Sequence, residues 1–449
     1  MITSAERPLP VRFLRFLGPL VLTNVLNALS GTLNIIFLGQ LLGAASMAAA
    51  VGFFPAFMFL IAFVIGLGTG ASVLVGQAHG AREPDKVREV AGAVLLGGVL
   101  LGVLVGVAGA AFARPLMHWL GTPPQILADS VSYARVMLFG LPVFFTNMLV
   151  AAVLRGMGDS LTPLRMLMVS FAVSAVVTPA LILGWWGLPQ LGVASAGWGT
   201  LLGTLTALVW LAWRLHRQAH ILAWSDLLPH LRLSRRLLTV ARLGVPTALF
   251  FITSAAADMG LLALVNDHGV HATAAWGAVS QTTAYVLFPA MSIAIAASVF
   301  TAQAVGAGDT ARIDQVTRVG LLMNLVLTGS LALGVALLAP RIASLFVQDA
   351  AVIELAATVL RIAVWGNIIF GMASVFSGVM RATGTVRVPT LMSLGCLVFL
   401  LYPLGRVFDS TLGLPFIWLT YPVTFAVALL LQTAYFYGVW KRQPVHKLI

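Results

Sequence analysis

The chain has 449 residues, of which 60% are hydrophobic and only 9% are charged, whereas a soluble domain has about 25% charged residues. Several apolar stretches exceed the roughly 20 residues that a helix needs to cross a bilayer, and they lack the alternation of a membrane β-barrel. The composition therefore excludes a soluble protein and predicts an all-α polytopic membrane protein. The single cysteine, Cys396, excludes an intramolecular disulfide.

Twelve apolar spans follow one another along the chain, and an even number places both termini on one side of the membrane. The first six lie near residues 13–38, 45–76, 90–112, 131–153, 162–184 and 192–213. The second six lie near residues 240–265, 273–303, 316–339, 353–379, 389–408 and 416–439. The pattern predicts an N-terminal six-helix lobe over 1–213, a polar cytoplasmic linker over 214–239 and a C-terminal six-helix lobe over 240–449.

Lysine and arginine are distributed unevenly between the two sides that these spans define. Of the 26 basic residues, 21 lie at the termini or on the same side as the termini. Because loops rich in Lys and Arg stay in the cytoplasm, we expect both termini to be cytoplasmic and the protein to lie in the inner membrane. The net charge of +12 then reflects topology and predicts no nucleic-acid partner.

Three segments recur at a constant spacing along the chain, 226 residues apart. ASVLVGQAHGA at 71–81 aligns with ASVFTAQAVGA at 297–307, and LRGMGDSLTP at 154–163 aligns with MRATGTVRVP at 380–389. LLGAASMAA at 41–49 also aligns with DHGVHATAA at 267–275. The repeat predicts two copies of a six-helix bundle related by a pseudo-two-fold axis along the membrane normal, an architecture suited to alternating access.

These motifs, in their order and spacing, resemble those of the multidrug and toxic compound extrusion (MATE) transporters. The resemblance rests on Gly-Gln-x-x-Gly-Ala after the second span, Leu-Arg-Gly-x-Gly-Asp after the fourth, LGQLLGAASMAA, and LGVASAGWGT at 191–200. It covers residues 12–440 and implies efflux of amphipathic, often cationic organic compounds in exchange for H⁺ or Na⁺. Because the same superfamily contains lipid-linked oligosaccharide flippases, a flippase is the alternative.

Several other functions find no support in the sequence. No phosphate loop of the form G-x-x-x-x-G-K-[ST] occurs, so uphill transport would need an ion gradient or a separate subunit. No constellation of His, Cys and carboxylates suggests an enzyme, and no spacing recommends a metal site. We therefore expect a monomeric transporter with no cofactor besides its coupling ion, whose partners are small organic molecules and the lipid bilayer.

The repeated motifs contain residues that we interpret as structural or gating elements: Gly76, Gln77, Gly80, Arg155, Gly158, Gln303, Gly306, Arg381 and Gly384. Four of these glycines lie at predicted helix ends, where glycine can take the left-handed conformation that closes a helix: Gly76, Gly80, Gly158 and Gly306. The two arginines can extend to the lipid headgroups or bind helix carbonyls.

Asp258 is the one acidic residue, out of 14, that does not lie in a loop, a tail or a helix end. It precedes Asp267 by nine residues, which places it about 13 Å inside the end of the seventh span at 1.5 Å per residue. A carboxylate at this depth is costly unless it is paired, solvated or protonated. We therefore predict that Asp258 couples transport to H⁺; the alternative is a structural carboxylate in a watery vestibule or bonded to neighbouring hydroxyls.

The resemblance also points to acidic residues that are absent from the N-terminal half. The first span of MATE transporters commonly carries an Asp where this chain has Asn34. Their fifth span often carries an Asn and an Asp four residues apart, where this chain has Ser174 and Thr178. These neutral side chains can form hydrogen bonds and offer oxygen atoms to Na⁺, but they cannot titrate.

Other polar residues inside the spans are candidates for lining a cavity that binds substrate or ion. Each could instead form hydrogen bonds within or between helices, as such side chains do in membranes. Asn27, Ser30 and Asn34 are three or four residues apart and so share a helix face. The full predicted set is Asn24, Asn27, Ser30, Asn34, Asn147, Ser170, Ser174, Thr178, Gln281 and Tyr285.

Overall fold

The computed structural model describes residues 8–449, except for the side chain of Trp186. Residues 1–7, which include one of the basic residues that set the predicted orientation, Arg7, lie outside this description. Throughout residues 8–449 the secondary structure is helical, joined by short turns, and contains no strand. This confirms the predicted all-α class.

The helices run in an unbroken series along the chain. The first half contains α1 (Leu9–Leu42), α2 (Ala44–Val51), α3 (Phe54–Gly80), α4 (Pro84–Ala111), α5 (Ala113–Trp119), α6 (Leu127–Phe139), α7 (Leu141–Gly156), α8 (Leu161–Leu183), α9 (Ala194–Arg217) and α10 (Trp224–Leu227). The second half contains α11 (Arg235–Asn266), α12 (Val270–Ala307), α13 (Ala311–Met323), α14 (Gly329–Ala343), α15 (Ala350–Ala382), α16 (Arg387–Cys396), α17 (Tyr402–Leu412) and α18 (Thr420–Gly438). Two π-helical segments, Asn324–Thr328 and Leu397–Leu401, join α13 to α14 and α16 to α17.

Within the described residues, eleven helical segments are long and apolar enough to cross a membrane. A twelfth span forms if the bent pair α6 and α7, which meet at 48°, is counted as one. The bend lies beside Pro142, near the start of α7, and proline cannot donate the helical hydrogen bond that would continue a straight helix. This bent pair covers the fourth predicted span, so the structure agrees with twelve.

The chain divides into two compact units, which do not coincide with the two halves of the sequence. The N-terminal unit contains Leu22–His79 and Glu83–Val245. The C-terminal unit contains Pro246–Ile449, Gly80–Arg82 and the described part of Met1–Val21. Each unit thus includes the beginning of the other half's first long helix. The lobe boundaries inferred from the repeat stay a prediction.

In the C-terminal unit, the beginning of α1 is part of the hydrophobic core. The rings of Phe13 and Phe16 lie 5.5 and 5.6 Å from that of Phe300 on α12, and Phe13 is fully buried. The same core includes Phe376 of α15 and Phe436 of α18, whose rings are 4.9 Å apart. Aromatic packing therefore fixes the first three turns of α1 in this unit.

In the N-terminal unit, the beginning of α11 packs closely against α3. A Cβ atom at Gly70 would lie 2.4 Å from the carbonyl oxygen of Val240, and one at Gly244 would lie 2.5 Å from that of Gly66. Neither position has room for a larger residue. Small residues of this kind let membrane helices approach closely, which is how helices gain packing energy in lipid.

The left-handed conformation predicted for four motif glycines is found only at Gly158, where φ is 90°. The other three lie inside α3 and α12 in ordinary helical geometry: Gly76, Gly80 and Gly306. α3 ends at Gly80 and α12 ends at Ala307, and positive φ angles occur just after these ends, at Arg82 (59°) and Gly308 (76°). The left-handed conformation was therefore wrongly predicted for these three residues, because the positive φ angles occur two positions after Gly80 and Gly306.

Close packing explains why one of these helical positions is glycine. A Cβ atom at Gly80 would lie 2.1 Å from the main-chain oxygen of Gln303 on α12. The second repeat has its left-handed glycine at Gly384, where φ is 93°. The repeated motifs therefore use glycine for two different purposes, close packing and chain reversal.

Candidate functional site

The seventh predicted span contains a hydrogen-bonded carboxylate. Asp258 lies on α11, eight residues before the helix ends at Asn266, or about 12 Å along the axis. The hydroxyl of Tyr421, in the first turn of α18, donates a hydrogen bond of 2.7 Å to Oδ1 of Asp258. Both side chains are half-buried. The two helices therefore hold the carboxylate at a fixed point within the C-terminal unit.

Asp258 forms no ion pair with any basic residue in the part of the chain that the structure describes. An ionised carboxylate can accept about four hydrogen bonds, and the phenol of Tyr421 uses one of these sites. The contact between the two oxygens, 2.7 Å, is an ordinary hydrogen-bond length. The carboxylate thus has acceptor sites left for a proton or a cation.

The corresponding region of the N-terminal unit is a network of neutral groups on α1, α8 and α9. The amide of Asn34 donates a 3.1 Å hydrogen bond to Oγ1 of Thr200, and the hydroxyl of Thr178 contacts Oδ1 of Asn34 at 3.5 Å. Thr200 in turn donates to the carbonyl of Ala196 at 2.9 Å. A Cβ atom at Gly199 would lie only 2.0 Å from Oγ1 of Thr178, so glycine lets α9 come this close.

Two further predicted residues lie on α8 near this network. Ser170 contacts the hydroxyl of Thr204 at 3.5 Å, and Thr204 donates to the carbonyl of Thr200. Ser174 is buried. The predicted set thus contains two network members, Asn34 and Thr178, whereas Thr200 was missed. A signal for Thr200 was present, since it ends the quoted LGVASAGWGT motif and lies one helical turn before Thr204.

The structure does not bring the remaining predicted cavity residues into either of these two sites. On α1, Asn24 and Ser30 are half-buried and Asn27 is exposed. On α7, the side-chain oxygen of Asn147 is buried without a hydrogen-bond partner. On α12, Gln281 is exposed and Tyr285 packs edge-on against Phe288 at 5.7 Å. Their assignment to a cavity stays a prediction.

The arginines and glutamines of the repeated motifs lie at helix ends or in the core. Gln77 is fully buried on α3, and Gln303 lies on α12. Arg381 donates a 3.3 Å hydrogen bond to the hydroxyl of Ser377 one turn earlier on α15, and Arg155 is half-buried near the end of α7. Their gating role stays a prediction. Residues 8–449 contain no group of three His, Cys, Asp or Glu side chains that could hold a metal ion.

Comparisons with known proteins identify the relatives of this fold. The MatE family pattern matches residues 19–180 and 246–406, one block in each half. The chain is 36% identical over 438 residues to the "Probable multidrug resistance protein YoeA" of Bacillus subtilis, covering 97% of this chain and 95% of that protein. It is 25% identical over 407 residues to a "FAD transporter" of Shewanella oneidensis, covering 90% and 89%.

The fold also matches solved structures. The crystal structure of a mutant of the Vibrio cholerae MATE transporter VcmN aligns with a TM-score of 0.88 at 20% identity, covering 97% of this chain and 98% of that one. At this identity the likeness concerns the fold alone. It agrees with the polytopic helical architecture described above.

Fold, spans and relatives together define an integral membrane transporter with many apolar helices. The duplicated family match covers most of the sequence and confirms the resemblance found in the motifs. The chain belongs to the MatE family, that of the multidrug and toxic compound extrusion transporters.

Proposed function

We propose that this protein is a secondary active antiporter that exports amphipathic, cationic organic compounds in exchange for H⁺, with Na⁺ as the less favoured coupling ion. The 36% identical relative is named as a multidrug resistance protein, which supports efflux of organic compounds. We further propose an inner-membrane location with both termini in the cytoplasm, supported by the 21 of 26 basic residues on the side of the termini. The proposed form is a monomer.

The hydrogen-bonded pair of Asp258 and Tyr421 is the observation that carries this proposal. A carboxylate inside a membrane span is costly and marks a functional site by default. The hydrogen bond that Asp258 accepts, 2.7 Å long, comes from the neutral hydroxyl of Tyr421. Because this bond does not neutralise the carboxylate, Asp258 can bind a proton in one state and a cationic compound in another. Because the two ligands would neutralise the same charge, they would compete, and this competition is the basis of exchange.

The neutral network in the N-terminal unit supports assigning the exchange to α11. Asn34, Thr178 and Thr200 form hydrogen bonds with one another or with the main chain, and none of them titrates at physiological pH. A proton cycle in this unit would therefore need another acidic group. Asp258 is consequently the first residue to test.

Replacement of Asp258 by asparagine tests the proposal directly. The amide would keep an oxygen that accepts the hydrogen bond from Tyr421 but would lose the charge. In proteoliposomes, an imposed pH gradient should drive uptake of a fluorescent organic cation by the wild type, and the rate for Asp258→Asn should fall at least about tenfold, the size of a loss of about 1.4 kcal/mol. Imposing a Na⁺ gradient separately distinguishes the two coupling ions.

A matched control is Asp85→Asn, which removes an exposed carboxylate, 83% accessible, at the start of α4. This variant should transport at the wild-type rate, and both variants should reach the membrane in wild-type amounts. Wild-type transport by Asp258→Asn would refute the coupling role. Stimulation of the wild-type protein by neither gradient would refute the antiporter proposal as a whole.

The second candidate is a flippase, or another carrier of amphipathic anionic cargo. The Shewanella relative named as a FAD transporter is the observation that favours it. An anionic cargo would be repelled by the ionised Asp258, which has no basic partner among residues 8–449. Flavin uptake into the same proteoliposomes, with no uptake of organic cations, would favour this candidate over the first.

A further inference from the structure

The segment between α9 and α11 is fixed against the first turns of α4, within the N-terminal unit. Arg88 donates a 3.1 Å hydrogen bond to the carbonyl of Ile221 and forms a 3.5 Å ion pair with Asp226. One turn further along α4, a Cβ atom at Gly92 would lie 2.2 Å from the main-chain oxygen of His230. These contacts hold the segment in one place, so its outward-facing side chains form a defined surface.

The outward face of this segment carries large apolar side chains. Leu222 and Leu227 are buried beneath it. Trp224 on α10 is 59% exposed, and Leu228, four residues later in the following 3₁₀ turn, is 53% exposed. Exposed apolar side chains that lie together mark a contact with another molecule or with lipid, and tryptophan is typical of the membrane–water interface. The segment is therefore suited to lie at the surface of the bilayer.

The end of α9 indicates where the lipid lies. Leu205, Val209 and Trp213 are exposed and recur every four residues, so they form one apolar stripe along the helix. On a spanning helix, such a stripe faces the lipid acyl chains. The guanidinium of Arg217 lies over the ring of Trp213 at 4.5 Å. The stripe thus ends in a positive charge where α9 leaves the membrane.

The first turns of α11 show the same arrangement. Arg235, Leu238 and Arg242 are exposed at spacings of three and four residues, so they share a helix face. Arg236 forms a 3.5 Å ion pair with Glu89, which keeps these turns beside the same part of α4. Arginine can lie along an apolar surface while its guanidinium reaches the headgroups. Both helices that border the segment therefore direct positive charge towards the headgroup layer.

The charge of this region indicates which headgroups fit. Residues 214–242 contain six arginines and one acidic residue, Asp226, and Arg88 pairs with that carboxylate. Four of the six arginines are exposed and form no ion pair with an acidic residue among residues 8–449: Arg217, Arg232, Arg235 and Arg242. A guanidinium can bind a phosphate through two parallel hydrogen bonds. The region therefore favours anionic phospholipids over zwitterionic ones.

We propose that this region binds the headgroups of anionic phospholipids such as phosphatidylglycerol, in the leaflet next to the segment between α9 and α11. The apolar side chains enter the boundary between headgroups and acyl chains, and the guanidinium groups bind the phosphates. With the proposed orientation of the chain, this is the cytoplasmic leaflet. The binding itself is independent of the exchange proposed for Asp258. We call this site the linker surface; it consists of Trp213, Arg217, Trp224, Leu228, Arg232, Arg235 and Arg242.

The test titrates the purified, delipidated full-length protein with phosphatidylglycerol and measures the dissociation constant of the bound lipid by native mass spectrometry. The variant Arg232→Gln/Arg235→Gln removes two exposed charges that form no ion pair among the described residues. It should weaken phosphatidylglycerol binding at least about tenfold, which is 1.4 kcal/mol. Phosphatidylcholine binding should change less than about twofold, because its headgroup has no net charge. Arg232→Lys/Arg235→Lys keeps the charges and should bind phosphatidylglycerol within about threefold of wild type.

Lys86→Gln/Lys441→Gln is the matched control, because it also removes two positive charges on the predicted side of the termini. These charges are already paired, with Glu83 at 2.5 Å and Asp314 at 2.9 Å. Phosphatidylglycerol binding should therefore change less than about threefold. Inorganic phosphate is the second probe, since it has the charge of the headgroup without acyl chains. At a concentration equal to that of the lipid, it should not displace phosphatidylglycerol.

Four outcomes would overturn this inference. One is wild-type phosphatidylglycerol affinity in Arg232→Gln/Arg235→Gln, and another is an equal loss in the lysine control, which would indicate an effect of net charge alone. Equal weakening of both lipids would indicate general packing, and displacement by inorganic phosphate would indicate an anion site instead of a lipid site. If the double variant does not elute as a single species, Arg232→Gln alone decides, with an expected loss of about fivefold, or about 1 kcal/mol.

The same measurement separates this inference from the proposed function. Asp258→Asn should bind phosphatidylglycerol with wild-type affinity, even where its coupled transport is lost. Failure of the wild-type protein to transport organic cations would overturn the proposed function and leave the linker surface standing. Loss of wild-type affinity for phosphatidylglycerol in Asp258→Asn would overturn the location proposed here for the lipid.

Discussion

Replacing Gly80, the last residue of α3, by alanine should destabilise the protein, and the distance from the new Cβ atom to its nearest neighbour indicates by how much. In Gly80→Ala, the new Cβ would lie 2.1 Å from the main-chain oxygen of Gln303, whereas ordinary van der Waals contact begins near 3.4 Å. The two segments must therefore move apart to admit the methyl group. The obstacle is main chain, which cannot rotate away as a side chain could. Overpacking of this kind costs about 1–3 kcal/mol.

Thermal unfolding of the purified protein in detergent measures this cost. The midpoint for Gly80→Ala should fall by several degrees, and transport should fall with it if the motif has a gating role. Gly277→Ala is the matched control, since a Cβ at this helical position on α12 meets nothing within 4 Å and alanine favours helix by up to about 1 kcal/mol. A wild-type midpoint for Gly80→Ala would refute the claim that close packing requires glycine there.

Two further predictions concern a half-buried histidine and a buried amide. Burial lowers the pKa of His220, which precedes α10; Asp159 opposes this shift and His79 adds to it. Because the unfolded chain binds the proton more readily, stability is highest above the ordinary His pKa of about 6.5 and decreases as pH falls through it. His220→Gln should therefore lose less stability than wild type between about pH 7.5 and pH 5, and equal losses would contradict this account. The second prediction concerns the buried amide of Asn324. It donates a 2.8 Å hydrogen bond to the carbonyl of Ile368 and accepts a 3.0 Å hydrogen bond from the hydroxyl of Thr328. Asn324→Leu should cost about 1–2 kcal/mol, since each such bond in a membrane protein averages about 0.6 kcal/mol and packing is also disturbed; an unchanged unfolding midpoint would show that the amide is dispensable.

Much of the fold could be predicted because membrane helices must satisfy their own backbone hydrogen bonds. Long apolar stretches of sequence therefore identify the spans directly. The bent pair α6 and α7 was predicted as one span because its apolar stretch continues through the bend. Helix ends were less predictable. Gly80 was expected in a left-handed turn, but it is the last helical residue of α3 and packs against the main chain of α12, and the positive φ angle occurs at Arg82.

Of the two hydrogen-bonded residues in the candidate site, only Asp258 could be predicted from the sequence. Asp258 was found because a charge deep in an apolar span is conspicuous in a sequence. Tyr421 is 163 residues away from it along the chain, and nothing local distinguishes this tyrosine from the others. The ring contacts of Phe370 with Phe250 and Phe425 were equally unpredictable, because they arise only when three helices pack together. Thr200 lay inside a motif used for the family resemblance but was not recognised as a hydrogen-bond partner.

The exchange of helix beginnings between the two units has a consequence for biosynthesis. The N-terminal unit includes residues up to Val245, so the ribosome must complete the linker and the first turns of α11 before α3 acquires its neighbour at Gly70. Phe13 and Phe16 emerge among the first residues, yet their partner Phe300 is made only after α11 and most of α12. The beginning of α1 therefore cannot form these aromatic contacts until Phe300 of α12 has been made. Neither half of the gene, expressed alone, would encode a complete unit.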